Sequence, residues 1–355
     1  MPANLIKVFL PAIIAFLIGI FATPFFTHFF YKYKLWKKTS RKEDTDLPAS
    51  EEISENYKKL HNAEEEVKTP RPGGIIFWFS VLATTLIIYL ISKIFPHIIT
   101  IKLDFLSRSQ TWLPIFALFT GAFIGLADDL LTIYIKKGIF RNGFPRRLMV
   151  VIVSVVGLIA GLWFYNKLGV SSIHIPFNGD WDLSFWIVPL FILVFLGTFS
   201  SGVIDGIDGL AGGVMATTFA AFGAIAYFQN QLDLAAFCAA ILGALLVFLW
   251  FNIPPARFYL GETGMMALVF SLPIVAFMTD QVLLLPVIGI MLVVTSLSSF
   301  IQIISKKYFK KKVFRVAPFH HHLESLGWSR PKITMRYWII SVVFAILGVI
   351  IAFVS

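Results

Sequence analysis

Charge is scarce in this chain, and cysteine is almost absent. Only 14% of the 355 residues are Asp, Glu, Lys or Arg, against roughly a quarter in soluble domains. Too few charged groups remain to clothe a water-soluble surface. The single cysteine, Cys238, lies in an apolar run and excludes an internal disulfide; it reads as a small core residue. No internal repeat is present, which sets aside solenoid architectures. Acids are fewer than bases, leaving a formal net charge of +10. In a soluble protein that excess would suggest nucleic acid. Here, with 57% hydrophobic residues and 37 phenylalanines, it marks loops facing an anionic membrane surface.

What fills the chain is long apolar runs. A bilayer core takes about 20 residues of helix, and ten runs qualify: 5–30, 73–95, 112–131, 147–166, 183–201, 211–228, 233–251, 264–279, 282–304 and 335–354. The eighth and ninth are parted only by Thr279-Asp280-Gln281. The first run is too long for a signal-peptide core and lacks a basic lead, so it is expected to stay as a span. Lys and Arg fall in alternate connections. Loop one (31–72) carries ten, the third-to-fourth connection five including Lys136, the seventh-to-eighth Arg257, and the ninth-to-tenth loop (305–334 and the start of the next span) nine. The opposite connections hold four. By the positive-inside rule the odd-numbered loops are cytoplasmic and both termini lie outside. The expectation is an all-α integral membrane protein: ten transmembrane helices, one polytopic domain over 1–355, and its polar clusters on the cytoplasmic face. Residues 41–66 mix acids and bases with little apolar content, as a mobile or partly helical surface segment does.

Every unusual polar cluster falls in those odd-numbered loops. Gly202-Val203-Ile204-Asp205-Gly206-Ile207-Asp208-Gly209 sets two carboxylates three residues apart among glycines, which let backbone approach a ligand closely. A polar turn is the plain reading of one Asp-Gly; the doubled pair and its company point to chemistry. Asp128 and Asp129 end the third run. Adjacent carboxylates at the edge of a low-dielectric slab need a cation or a hydrogen-bonding partner. Asn252 to Gly264 adds Tyr259, able to stack on a base, and the carboxylate of Glu262, which could also simply cap a helix. His320, His321 and His322 follow a run of lysines; neighbouring side chains on a helix diverge, so charge donation to a diphosphate suits them better than one zinc ion. Carboxylates for Mg²⁺ and bases for phosphates on one face suit phosphoryl transfer, where an enzyme positions reactants and neutralises charge. A transporter would place its ionisable groups near mid-membrane, and these stand at helix ends.

Together these segments resemble the polyprenyl-phosphate phosphoglycosyl transferase superfamily (glycosyltransferase 4 family), along the whole chain and in family order. Ala317-Pro318-Phe319-His320-His321-His322-Leu323-Glu324, Gly327-Trp328 and Lys332 to Ile340 are similar to its triple-histidine branch. The resemblance implies a ten-helix enzyme of the cell inner (plasma) membrane. It would transfer phospho-N-acetylmuramoyl-pentapeptide from UDP-MurNAc-pentapeptide to undecaprenyl phosphate, with Mg²⁺, releasing UMP. A UDP-N-acetylglucosamine donor is the alternative, a catalytically silent relative a remoter one. It implies no nucleic acid, and a second copy of the chain as a candidate partner. Asp128 and Asp129 match paired catalytic aspartates that also serve the metal, and His320 a catalytic pyrophosphate contact. Asp205, Gly206 and Asp208 match the uracil-binding segment. Asn252, Tyr259, Gln302, His321 and His322 match substrate-binding positions, and Glu262 a metal ligand. The sequence departs from the family at four places: Glu262 replaces an aspartate, Phe199 and Gly202 replace two asparagines, Thr69-Pro70-Arg71-Pro72-Gly73-Gly74 replaces Thr-Pro-Thr-Met-Gly-Gly, and Glu64 to Glu66 occupy the region of a uracil-contacting lysine.

Overall fold

Hydrocarbon offers backbone N–H and C=O groups no water, so apolar runs that cross it become helices whose hydrogen bonds close internally. The computed structural model describes residues 2–37, 68–107, 109–135 and 137–355. The expectations for 41–66, for Glu64 to Glu66 and for Lys136 fall outside them. Ten helices long and apolar enough to cross a membrane are present among the described residues. We label them α1 (Pro2–Lys32), α2 (Gly74–Ile94), α3 (Trp112–Tyr134), α4 (Arg146–Trp163), α5 (Ile187–Ser201), α6 (Leu210–Phe228), α7 (Leu232–Asn252), α8 (Gly261–Met278), α9 (Ile290–Ile304) and α10 (Arg330–Val354).

α8 is the hub. Nearly all of it is buried, and it packs on α3, α5 and α2. α7 packs on α1 and α6, and α10 closes over α6. The α3–α8 contact is set by two glycines. A Cβ on Gly121 would collide with the Met266 carbonyl, and one on Gly125 with the Glu262 carbonyl. Small residues four apart let membrane helices approach to backbone contact. Here they draw the end of α3 that bears Asp128 and Asp129 onto the first turn of α8. The Thr263 hydroxyl adds a bond to the Ala122 carbonyl at 3.2 Å.

Two boundaries and one connection differ from the sequence expectation. The ninth run is broken: a 3-10 turn (Val282–Leu284) and a short helix (Leu285–Ile288) precede Gly289, and α9 starts only at Ile290. The tenth helix starts at Arg330 rather than 335, because Pro331 fits a helix's first turn. An antiparallel hairpin, Ser172–Ile175 with Gly179–Asp182, stands between α4 and α5. Asp280, at φ +52° between α8 and the 3-10 turn, accepts from the His174 backbone N–H at 3.1 Å and fastens that hairpin. The helices alternate in direction. One end of the bundle therefore gathers Asp128 and Asp129, the doubled Asp-Gly, Asn252, Glu262 and the histidines, and the hairpin lies at the other.

Candidate active site

Asp129 is fully buried, and its side chain is held on all sides. One carboxylate oxygen accepts from the Thr263 N–H at 3.0 Å; the Glu262 N–H also bonds this carboxylate. These are open donors of the first turn of α8, which favours an anion there. The other oxygen faces Arg71 Nε at 3.4 Å. Gly261 makes this possible. Its φ is +66°, and a Cβ would strike both the Arg71 carbonyl and the Asp129 carboxylate. Arg71 is itself fixed by backbone. Tyr259 donates to the Pro70 carbonyl (2.9 Å), Gly73 to the Tyr259 carbonyl (3.0 Å), Gly74 to the Leu260 carbonyl (2.9 Å), and Arg71 to the Leu35 carbonyl (3.0 Å). Residues 70–74 and 259–261 are thus sewn together.

Around this pair stand three more carboxylates. Asp128 accepts from the Phe144 N–H at 2.6 Å. Glu262 is half-buried and feels Asp129, Asp128, Arg71 and Asp205 electrostatically; its carboxylate takes no hydrogen bond or ion pair among the described residues. Asp205 accepts from the Gly261 N–H. Water reaches Asp205, yet the protein around it strips hydration. That loss, joined by Asp129 and Asp208, outweighs Arg71 and lifts its carboxyl to about 7. Among the described residues, four carboxylates stand here with one guanidinium, an arrangement short of positive charge. Among the described residues no three His, Cys, Asp or Glu groups are arranged to hold a metal ion unaided.

The doubled Asp-Gly runs as a 3-10 turn (Gly202–Ile204), then a loop, then α6, with Gly209 at φ +74°. It is tied from three directions. Asn252 accepts from the Gly209 N–H (2.7 Å) and donates to the Phe258 carbonyl (2.8 Å). The Asp208 carboxylate accepts from the Ala256 N–H at 3.1 Å. From α10, the Thr334 hydroxyl donates to the Asp208 carbonyl and the Trp338 indole to the Gly209 carbonyl, each at 3.1 Å.

The histidines form one short helix, Phe319–Ser325, docked by the Phe319 N–H on the Ser298 hydroxyl at 2.9 Å. His320 and His321 do not diverge as neighbours on a helix are expected to. Their rings lie 4.3 Å apart, and both Nε2 atoms press on Gly206, where a Cβ would come within 2.6 Å and 3.0 Å of them. His321 Nδ1 meets Glu324 at 2.5 Å, and Glu324 takes Arg330 Nε at 2.8 Å. Burial works to raise Glu324, but His321 and Arg330 prevail and hold it below the ordinary carboxyl range. His322 turns away from its neighbours. It accepts from the Arg315 N–H at 3.3 Å and packs on Phe314 and Phe319. Burial and then Arg315 lower its basicity.

Asp128, Asp129, Asp205, Gly206, Asp208, Glu262, His320 and His321 are therefore brought together. Tyr259 borders them through its backbone seam. Asn252 and Gln302 serve as braces: both ends of the Asn252 amide are engaged, and Gln302 holds the Val313 and Phe314 backbone at 3.0–3.1 Å. Sequence reasoning passed over Arg71, the Phe144 N–H and Arg330. A base locked between two prolines beside Gly-Gly was the only signal for Arg71, and the Asn142-Gly143 turn the only one for Phe144.

The glycosyl transferase family 4 model matches residues 111–280. The phospho-N-acetylmuramoyl-pentapeptide-transferase of Geobacillus thermodenitrificans (strain NG80-2) is 33% identical over 343 residues, covering 95% of each chain. The protein of that name from Listeria monocytogenes is 32% identical over 343 residues, again 95% of each chain. Its namesake from Chloroflexus aggregans is 30% identical over 365 residues, covering 99% of this chain and 91% of its own. By this likeness along nearly its full length, the chain belongs to the phospho-N-acetylmuramoyl-pentapeptide-transferase family within glycosyl transferase family 4.

Proposed function

We propose that this protein transfers phospho-N-acetylmuramoyl-pentapeptide from UDP-MurNAc-pentapeptide to undecaprenyl phosphate, releasing UMP, as a multi-pass protein of the bacterial plasma membrane. The convergence of Arg71, Asp128, Asp129, Asp205 and Glu262 at one end of the bundle carries this reading. The described bases of the odd-numbered loops share that end, which the positive-inside rule assigns to the cytoplasm, where a UDP-sugar is available.

We assign the proton work to Asp128. Asp129 has both oxygens committed to protein donors, so it positions the first turn of α8 and Arg71. Asp128 would accept the proton of the lipid phosphate. The phosphate oxygen then attacks the β-phosphorus of the donor, the bond from that phosphorus to the UMP oxygen breaks, and UMP leaves with the electron pair. Arg71 and the histidines offset the negative charge that gathers during the exchange. A Mg²⁺ ion fits the donor set. Magnesium keeps several waters and takes one or two carboxylates plus substrate phosphates, so a three-residue cage is not required. Glu262, with its unengaged carboxylate, and Asp128 would hold it, and Asp129 would back them. The ion would supply charge neutralisation at the diphosphate.

The test is UMP release by purified protein with undecaprenyl phosphate, with and without Mg²⁺, on UDP-MurNAc-pentapeptide and on UDP-N-acetylglucosamine. We expect turnover of the first donor, dependent on Mg²⁺. Asp128→Asn should lower kcat by about 10²- to 10⁴-fold, the usual share of a general base, with the protein still folded. Equal turnover by wild type and variant would remove Asp128 from the chemistry, and preference for the second donor would change the substrate.

A further inference from the structure

The histidine helix contains a carboxylate–imidazole pair whose carboxylate, Glu324, has no part in the mechanism above. His321 and Glu324 are both buried, 4% and 6% exposed. Their contact is 2.5 Å, and the second Glu324 oxygen is taken by Arg330 at 2.8 Å. With Arg330 on one oxygen and its carboxyl held below the ordinary range, Glu324 is an anion and can only accept. The hydrogen in the short contact therefore sits on His321 Nδ1. That leaves Nε2, the atom pressed against Gly206, as the ring's other working position. A carboxylate on one ring nitrogen fixes tautomer and orientation, and stabilises the imidazolium when a proton arrives at the other. The charged and titratable groups around this ring are His320 and Glu324 on its own helix, Arg330 at the start of α10, and Asp205 and Asp208 on the turn it faces.

We propose that Glu324, braced by Arg330, is a positioning residue that holds His321 in the Nδ1–H form and aims its Nε2 at the Gly206 turn, where it meets the donor's diphosphate. The second half rests on the transferase reading above; the first half does not. With Glu324 in place, a proton on Nε2 gives an imidazolium whose charge is shared with a buried anion, ready for a diphosphate. With a neutral amide instead, the imidazolium loses its partner.

Two measurements on the full-length protein separate these halves. The first is the pH profile of kcat/KM for UDP-MurNAc-pentapeptide. Glu324→Gln should lower kcat/KM by about 10- to 100-fold, the scale on which losing a histidine-orienting carboxylate acts, and shift the alkaline limb to lower pH. Glu324→Asp should recover most of both, and Arg330→Gln should fall between. The double variant Glu324→Gln/His321→Asn should be no slower than His321→Asn alone, since one acts through the other. A Glu324→Gln enzyme with an unmoved alkaline limb, or additive losses in the double variant, overturns the proposal. Should Glu324→Gln not fold, Arg330→Gln carries the same comparison. The second is the long-range ¹H–¹⁵N spectrum of histidine-labelled protein. It should show His321 as Nδ1–H in wild type and a tautomer mixture when Glu324 is changed or Arg330 removed; identical tautomers throughout overturn it. If wild type releases no UMP, the transferase reading falls, and this spectrum still decides the role of Glu324.

Discussion

Arg71 illustrates how much one side chain can carry. It is the cation acting on Asp128, Asp129, Asp205 and Glu262, and about a quarter of it is exposed. A hydrogen bond to a charged group contributes about 1.5–3 kcal/mol. The 3.4 Å separation and the partial exposure place Arg71 toward the lower part of that range. Arg71→Gln should therefore lower the melting temperature measurably in detergent, and Arg71→Lys by less, because it keeps the charge but loses the Nε geometry. Equal melting temperatures for wild type and Arg71→Gln would show that the pair adds nothing to the fold. The sequence alone could not reveal this partnership. Arg71 and Asp129 lie 58 residues apart, and Gly261 opens the space between them by having no Cβ. The aspartates themselves were legible because carboxylates at the ends of apolar runs have few structural reasons to be there. The histidines were half legible. Their presence stood out, but their convergence depends on Gly206, where a side chain would have forced both rings aside.

At the scale of elements, the apolar runs forecast their helices to within a few residues, since chain length and bilayer thickness leave little choice. The misses came where polar and apolar character mix. The hairpin at 172–182 is too short to register as alternation, and α9 is shortened by a break at Gly289 that hydropathy does not see. Two predictions belong here. Gly125→Leu should prevent α3 from seating on α8, because the collision is with backbone that cannot yield. Overpacking costs about 1–3 kcal/mol even where neighbours adjust, so folded yield should fall steeply. Recovery of monodisperse, active Gly125→Leu protein at wild-type levels would contradict this packing. The histidine helix should depend on pH. Glu324 has a depressed folded-state value, so its contribution is complete above the ordinary glutamate value of about 4.3 and is lost as pH falls through the folded value. Limited proteolysis near residues 310–330 should be slow at pH 7 and faster as the medium becomes more acidic. Glu324→Gln should flatten that difference, and an equally steep response in the variant would place its cause elsewhere.

For the whole molecule, function depends on which way the bundle faces. Cys238 is 1% exposed, so introduced cysteines can be labelled over a silent background. Asn178, at the exposed tip of the hairpin, and Lys311, exposed after α9, lie at opposite ends of the bundle. In intact cells a membrane-impermeant maleimide should label Asn178→Cys and spare Lys311→Cys. The opposite pattern would invert the topology and put the acidic centre on the face that UDP-sugars do not reach.

The bonds from Thr334 and Trp338 reach back across 126 and 129 residues to the Asp208 and Gly209 carbonyls. Ribosomes deliver chains from the N-terminus onward, so α10 emerges well after the segment it fastens. Four helices, α6 to α9, therefore separate the doubled Asp-Gly segment from the helix that supplies these two bonds. The turn gains these two bonds only once α10 is in place, so a product truncated before α10 would lack both.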